Sequence, residues 1–503
     1  VRTSMRAGLA GVAAAAAALG LAELAAVFAG ARSAPLVAVG GVVVDHVPAG
    51  VKDFAIAAFG THDKTALLTG TAILLGLYAF GVGVLAVRRW ALAVAGIALF
   101  GAVGAAAAWT RPGAGAGAPV PALAGAVLAG FVLRHLVRLT PYSRSDEPAD
   151  GESRRRFLKQ VGIVGAVAAG GGLAGRWLTA RGAATAARSE LTLPAASGPR
   201  PAVPAGAQVN GAVPYVTPNE DFYRIDTALI TPQVDPATWT LRIHGMVRNP
   251  ITITWADLMK RPMVERYVTL ACVSNEVGGD LIGNALWLGT PIKALLDEAD
   301  PLPGADQVVQ RSIDGWTCGT PTAALRDGRD ALLAIGMNGE PLPVDHGFPV
   351  RMVVPGLYGY VSACKWITGI ELTRFSDFDA YWVPRGWSAQ GPIKTGSRID
   401  TPRDRTRREP GPVVVAGVAW AQHRGIAKVE VQVDEGPWET AALAPAVSDG
   451  TWRQWTHTWD AMPGQHVLRV RATDLDGHPQ TSEIADPAPD GATGWHQVTV
   501  SVG

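Results

Sequence analysis

Cysteine is scarce in this chain: Cys272, Cys318 and Cys364 are the only three in 503 residues. They cannot build a disulfide framework. No CxxC or CxxCH spacing exists to hold zinc or attach a haem covalently. A cysteine that does chemistry here must act singly. Charged residues make up only 17% and aromatics 7%, and mean hydropathy is +0.17. The shortage of charge is uneven. Residues 1–140 hold 14 charged side chains, about half the density of the remainder. That deficit argues against a wholly soluble chain, and the ordinary composition of the rest argues against a wholly intramembrane one. A net charge of +1 without a basic stripe argues against a nucleic-acid partner.

What the charge-poor part does have is apolar length. Runs at 8–30, 65–87, 90–109 and 117–137 each approach the ~20 residues that a helix needs to cross ~30 Å of hydrocarbon. They predict a four-helix transmembrane region over 1–140. The stretch 34–59 is apolar too, but Asp45, His46, Lys52 and Asp53 interrupt it, so it reads as an extramembrane loop. Arg2, Arg6, Arg88, Arg89, Arg134, Arg138 and Arg144 crowd one side. Arg32, Lys52, Lys64 and Arg111 are scattered through longer loops on the other. Basic residues in short loops face the cytoplasm, so the N-terminus is expected there.

Residues 141–182 then form a cytoplasmic loop and a fifth apolar segment. Ser153-Arg154-Arg155-Arg156-Phe157-Leu158-Lys159 precedes the apolar run 161–175. It reads either as a basic anchor for a fifth helix or as a twin-arginine export signal, which its residue order resembles. Both readings place the rest of the chain outside the cytoplasm. Ala184-Thr185-Ala186 offers a weak cleavage signal. Residues 183–212, rich in Ala and Pro, read as an extended linker.

From 213 to 409 short β-like runs (239–243, 251–255, 264–271, 308–313, 349–354) alternate with helical pieces (290–298, 322–325), an α+β pattern. From 410 to 503 the period-two alternation of Ala427, Val429, Val431 and Val433, then of Leu468, Val470 and Ala472, predicts an all-β immunoglobulin-like sandwich.

Three clusters carry chemistry. Cys272 ends the run Thr269-Leu270-Ala271 and opens a polar turn with Gly278-Gly279. There a thiolate can meet a metal, or the residue can simply fill a core. In Asp345-His346-Gly347-Phe348-Pro349-Val350-Arg351, an arginine on a strand follows a histidine by five. Such a guanidinium suits phosphate, or a surface ion pair. In Ser362-Ala363-Cys364-Lys365-Trp366, Lys365 is a phosphate-binding point charge or a surface amine.

These clusters are joined in order by Ala285-Leu286-Trp287-Leu288-Gly289 and Met337-Asn338-Gly339-Glu340-Pro341-Leu342-Pro343. Together they resemble the molybdopterin-dependent sulfite oxidase family, of a bacterial, membrane-anchored type. The resemblance covers 213–503. It implies a molybdopterin domain at 213–409 and a dimerisation-type sandwich at 410–503, hence a homodimer. It implies a mononuclear molybdenum–molybdopterin cofactor, with Cys272 as the metal's thiolate ligand and Cys272 and Arg224 at the catalytic centre. Phe222, Tyr223, Arg224, Asp226, Asp314, His346, Arg351, Ser362 and Lys365 are the residues it implies for cofactor binding. The implied reaction is a two-electron oxygen-atom transfer, with electrons passing to a separate cytochrome or quinone system. The substrate would be a small oxyanion such as sulfite.

One departure bears on the substrate. Ser274-Asn275-Glu276-Val277 stands where the family has Gly-Asn-Arg-Arg, and an acid there repels a dianion. Arg224, Lys394, Arg398 and Arg453 are the cations available to compensate. The alternatives are a sulfoxide reductase of the same cofactor class and a non-enzymatic, membrane-anchored binding module.

Overall fold

A computed structural model describes residues 2–47, 51, 63–139, 151–180 and 183–503. The chain divides into two compact units, Val1–Thr185 with Thr227–Gln233, and Ala186–Asp226 with Val234–Gly503.

The first unit is helical: α1 (Arg2–Ala29), α2 (Pro35–His46), α3 (Asp63–Arg88), α4 (Trp90–Trp109), α5 (Val120–Arg138) and α6 (Gly151–Ala180). Five of these are long and apolar enough to cross a membrane, within Ser4–Ala29, Thr65–Arg88, Trp90–Trp109, Val120–Arg138 and Arg154–Leu178. The three arginines after Ser153 lie in the first turns of α6, continuous with the apolar segment. Small residues that let backbones touch hold α1 to its neighbours. A Cβ on Gly11 would lie 2.0 Å from the Ala79 carbonyl oxygen, and one on Gly83 2.1 Å from that of Ala7.

The stretch expected as an extramembrane loop at 34–59 is partly helical. Residues 35–46 form α2, an apolar helix too short to span. Its Asp45 does not break the helix, because the Arg111 guanidinium pairs with it at 2.9 Å. Lys52 and Asp53 lie outside the described residues, as does Arg144.

The second unit opens on α7 (Ala183–Glu190), whose first residues belong to the helical unit. The linker reading of 183–212 is also corrected. Helical Arg188 donates to the carbonyls of Pro341 and Leu342. Arg200 forms a bidentate pair with Glu265, and Val209 N–H donates to Gln454 at 2.6 Å. The segment is bound along its length by partners far away in sequence.

Ten strands follow: β1 (Thr240–Gly245), β2 (Ile251–Thr254), β3 (Val264–Ala271), β4 (Ile282–Pro291), β5 (Gln307–Ser312), β6 (Thr317–Pro321), β7 (Leu332–Met337), β8 (Glu340–Pro341), β9 (Arg351–Val353) and β10 (Ile367–Thr373). Two helices, α8 (Trp255–Met259) and α9 (Ile292–Ala299), lie among them. One sheet runs β2-β1-β10-β5-β6. The other runs β3-β4-β7-β8, with β9 on β7. The long antiparallel pair of β3 and β4 keeps register from Val264↔Gly289 to Ala271↔Ile282, which fixes Cys272 at the first position beyond the sheet.

Nine more strands follow: β11 (Gly396–Thr401), β12 (Thr406–Arg408), β13 (Gly411–Trp420), β14 (Ile426–Val433), β15 (Trp438–Thr440), β16 (Ala442–Leu443), β17 (Arg453–Ala461), β18 (Gly464–Asp474) and β19 (His496–Val502). They make two further sheets, ordered β11-β13-β17-β16 and β12-β19-β18-β14-β15. The alternating Val429, Val431, Leu468, Val470 and Ala472 meet Trp455 and Val500 in one core between them. The expected start at 410 moves back: β11 and β12 (Thr406–Arg408) already pair in these sheets. Polar Ser397, Arg398, Asp400 and Thr401 hid that strand from a hydropathy reading.

Candidate functional site

The turn after β7 sets the floor of the site. Asn338 sits at φ +52° and uses its whole side chain. Its amide oxygen accepts from Leu286 N–H, and its NH2 donates to Thr217 O and Asn219 Oδ1. The Asn-Gly motif thus ties the segment 217–219 to β4 and delivers Phe222 beside it. The Phe222 ring stacks on Tyr223 at 5.2 Å and meets Trp287 and His346 edge-on at 5.8 and 5.6 Å.

Next comes a turn that only glycine fits. Gly347 has φ +111°, and a Cβ there would lie 3.0 Å from that of Arg351 and 3.1 Å from that of Lys365. That close approach brings His346, Arg351 and Lys365 together. Arg351 is 4% exposed and lies over the Trp287 ring at 5.0 Å. Among the described residues its hydrogen bonds reach only the carbonyls of His346 and Met352, at 3.2 and 3.3 Å. Burial depresses its pKa to about 10. Lys365 donates to Asp226 and to the Asp345 carbonyl, each at 3.0 Å. Burial brings its pKa down to about 8, although Asp226 opposes the shift. Arg224, more exposed, bridges Asp226 at 3.1 Å and Asp345 at 3.2 Å.

Two expected site residues stand apart. The Ser362 hydroxyl donates to the Leu357 and Tyr358 carbonyls at 3.2 and 2.9 Å. It is the clasp of its own turn. The Asp314 carboxylate accepts from Trp316 N–H at 3.1 Å, again within a turn.

His346 is 5% exposed. Its Nε2 faces the Asn219 carbonyl at 3.3 Å and must donate. Nδ1 is then a buried acceptor, and among the described residues it has no partner. Burial first, then Arg351 and Lys365, lowers its pKa to about 4. Burial and Arg398 do the same to His496. An unfolded histidine titrates near 6.5, so between about 6.5 and 4 the unfolded chain binds more protons than the folded one. Stability is therefore complete above about pH 6.5. It falls by up to about 1.4 kcal/mol per pH unit for each such group as pH drops toward 4. Thermal unfolding of cofactor-free protein across this window should show that slope, and His346→Gln should lessen it.

Cys272 is 9% exposed. Its N–H donates to Leu281 O at 2.9 Å, and its carbonyl accepts from Asn275 N–H at 3.1 Å. The Asn275 amide oxygen in turn accepts from Leu281 N–H at 2.8 Å. Burial raises the thiol pKa, while bonds from Ser274 and the charge of Lys365 pull the other way. A bound cation is what would convert such a thiol to thiolate. Cys318 and Cys364 are fully buried core residues.

Beside this turn is a cavity of about 40 Å³, lined among others by Ala271, Asn275, Glu276, Tyr358, Lys394 and Trp420. Ala271, which lines it, directly precedes Cys272, so the cavity adjoins the cysteine turn. The four cations named for charge compensation are all engaged. Lys394 donates to Asp490 and to the Gly491 carbonyl, each at 2.7 Å. Arg398 binds Asp400 and Gly279 O at 2.7 Å, and Arg453 binds two sandwich carbonyls. Arg224 belongs to the Asp226–Asp345 cluster. Trp287, Asn219 and Tyr358 were not among the expected site residues. The apolar or structural motifs around them gave no polar signal.

The donor set fits a pterin bearing a phosphate. A buried guanidinium with only carbonyl partners and a buried amine suit a phosphate. The unpartnered Nδ1 of His346 can accept from a heterocyclic N–H. Comparison with known proteins agrees. Residues 228–382 match the oxidoreductase molybdopterin binding domain. The chain is 29% identical over 346 residues to human mitochondrial sulfite oxidase, covering 57% of this chain and 62% of that protein. It is 30% identical over 270 residues to the sulfite oxidase of Arabidopsis thaliana, covering 44% and 68%. It is 31% identical over 180 residues to the uncharacterized oxidoreductase YuiH of Bacillus subtilis, covering 35% and 87%. The chain thus spans less than two thirds of the human enzyme, and nothing favours a non-enzymatic binding module. With a domain match over the cationic cluster, and relatives at 30–31% identity covered to 68% and 87% of their own length, the chain belongs to the sulfite oxidase family of molybdopterin-dependent oxidoreductases.

Proposed function

We propose that this protein is a membrane-anchored oxidoreductase that moves an oxygen atom between water and a small substrate X. The balanced reaction is X + H2O giving XO, two protons and two electrons. The electrons go to a separate carrier of the cytochrome or quinone class. The observation that carries this reading is the buried Arg351–Lys365–His346 cluster, in the same compact unit as the hairpin end that presents Cys272.

When bound, the molybdenum–pterin group supplies the two-electron oxygen exchange. The chain's residues hold it. Arg351 and Lys365 would take the phosphate, with Arg224 and Asp226 at the exposed edge. Phe222 and Tyr223 would pack against the heterocycle, and Cys272 would ligate the metal. The Cys272 turn and Tyr358 keep the centre sheltered, with the adjoining cavity as the substrate's approach.

The family resemblance favours sulfite as X. A second reading, an uncharged sulfoxide reduced in the opposite direction, is favoured by the cavity itself. Glu276 lines it, and the Lys394 ammonium there is already neutralised by Asp490. We place the molybdopterin domain between residue 213 and the start of β11 at 396, and give the sandwich an immunoglobulin-like, dimer-forming role. The five apolar helices anchor the chain with its N-terminus cytoplasmic. The arginines opening α6 serve as a twin-arginine-type address for a folded extracytoplasmic domain.

Metal and pterin analysis of the purified protein tests the cofactor, with one molybdenum per chain expected. Paired assays then decide direction: sulfite with an artificial acceptor, and dimethyl sulfoxide with a reduced dye. Absence of molybdenum sinks the proposal. Turnover in the second assay alone replaces the sulfite reading with the sulfoxide one.

A further inference from the structure

The sandwich makes contacts that its own folding does not need. The connection between β3 and β4, residues 272–281, secures its base with its own hydrogen bonds. Its tip rests on two residues from the other end of the chain. Arg398 of β11, 7% exposed, donates from Nη1 to the Gly279 carbonyl at 2.7 Å while its Nε holds Asp400 at 2.7 Å. Asp400 is fixed in turn by Val213 N–H at 3.0 Å. His496, first residue of β19, accepts from Ile399 N–H at Nδ1, 3.0 Å away, which locks its ring. The ring lies close against the loop. A Cβ on Gly278 would sit 2.2 Å from His496 Cδ2 and 2.4 Å from its Nε2, and Gly278 has φ +81°. The strand that leads to Cys272 is held from the same side. Thr269 N–H donates to Gly450 O at 3.0 Å, Gln422 donates to Thr269 O at 3.2 Å, and Trp452 N–H donates to Thr269 Oγ1 at 2.8 Å.

We infer that Arg398 and His496 are positioning residues for the Cys272 turn: the sandwich braces the loop between Asn275 and Gly279 and so sets the wall of the adjoining cavity. The inference rests on the reading of Cys272 as the metal's ligand, but its contacts stand independently of that reading. A loop ten residues long, whose tip has only the turn bond from Gly279 N–H to the Glu276 carbonyl at 2.9 Å, would otherwise sample several tip conformations. Here a guanidinium holds one carbonyl, and an aromatic face excludes any side chain at 278. Glu276 and Asn275, which line the cavity, therefore have a fixed place.

The test uses the full-length, cofactor-loaded protein with two readouts: the molybdenum(V) paramagnetic resonance signal after partial reduction with dithionite, and the rate of cutting after Glu276 by a glutamate-specific protease. Gly278→Ala pushes the loop off the ring. It is expected to accelerate cutting at Glu276 by about 10–100-fold and to change the resonance signal, with bound molybdenum retained. Arg398→Gln should do the same, and Arg398→Lys, which keeps one donor, should return part of the protection. His496→Ala, which removes the ring that the loop rests on, should also accelerate cutting at Glu276. If Gly278→Ala and Arg398→Gln leave both the cutting rate and the signal at wild-type values, the bracing role is overturned. The same holds if cutting rises equally at every exposed glutamate, which marks general unfolding. Wild-type protein without molybdenum defeats the cofactor reading instead, and cutting at Glu276 still decides the brace.

Discussion

Arg351→Ala is expected to yield a folded chain that purifies without pterin or molybdenum. Arg351 is the most deeply placed cation of the cluster, 4% exposed, with the Trp287 ring beneath it and only backbone carbonyls as hydrogen-bond partners. Removing one partner of a buried, hydrogen-bonded charge pair costs about 2–5 kcal/mol, which is roughly 30- to several-thousand-fold in affinity. The sign for the cofactor-free chain is the opposite. There the guanidinium is a buried charge without a counter-ion, which burial alone disfavours strongly enough to lower its pKa to about 10. Cofactor-free Arg351→Ala should therefore unfold at a temperature no lower than cofactor-free wild type, while loaded wild type gains stability that the variant cannot. Calorimetry of both forms, with pterin quantified by fluorescence after oxidation, checks the pair of outcomes. Arg351→Lys should not restore binding, since an ammonium lacks the planar fork that reaches phosphate while lying on Trp287. A variant that keeps its pterin removes Arg351 from the binding role.

The same cluster shows how far local pattern can be read. Strand β3 was legible to the residue, because eight residues of β-type sequence end at a polar turn, and the cysteine falls at that junction. The run from His346 to Arg351 was legible as an arginine on a strand five residues after a histidine, but the close approach of Gly347 to Lys365 left no signal, because Lys365 is 18 residues away in the chain. Ser362 misled, since a serine in a Gly-rich turn looks the same whether its hydroxyl faces a ligand or, as here, its own carbonyls. The segment 183–212 misled for a different reason. Composition reports backbone preference, but Arg188, Arg200 and Val209 are bound by Leu342, Glu265 and Gln454, and sequence distances of 65 to 245 residues leave no local trace. Helix α2 was hidden by Asp45, whose charge reads as a break until Arg111 is seen beside it. The α1 contacts were legible only as a glycine content, because which glycine meets which carbonyl depends on helix pairing.

Cys272→Ser is the prediction with the largest effect on turnover. A hydroxyl in place of the thiol keeps nearly the same volume, and the backbone bonds that fix position 272, to Leu281 O and from Asn275 N–H, do not involve the side chain. The turn should therefore keep its shape, and the cationic cluster around Arg351, Lys365 and His346 should still hold the pterin and its phosphate. What changes is the donor. A thiolate is a soft, strongly donating ligand that a buried site reaches only against its raised pKa, and a serine hydroxyl at the same depth stays protonated. Losing a donor at the metal itself should cost more than the 10–100-fold typical of changes to outer-shell partners, so turnover in either assay direction should fall by at least about 100-fold. Pterin content should stay near wild type. The sulfur-to-metal charge-transfer absorption contributed by the cysteine should vanish, which separates loss of ligation from loss of fold. Cys318→Ser and Cys364→Ser provide the contrast. Each places a hydroxyl in a fully buried position, so they should lower the unfolding temperature while the absorption of the loaded protein stays unchanged. If Cys272→Ser behaves like these two, with stability altered and the visible spectrum intact, then Cys272 is a core residue and the metal is held by another group.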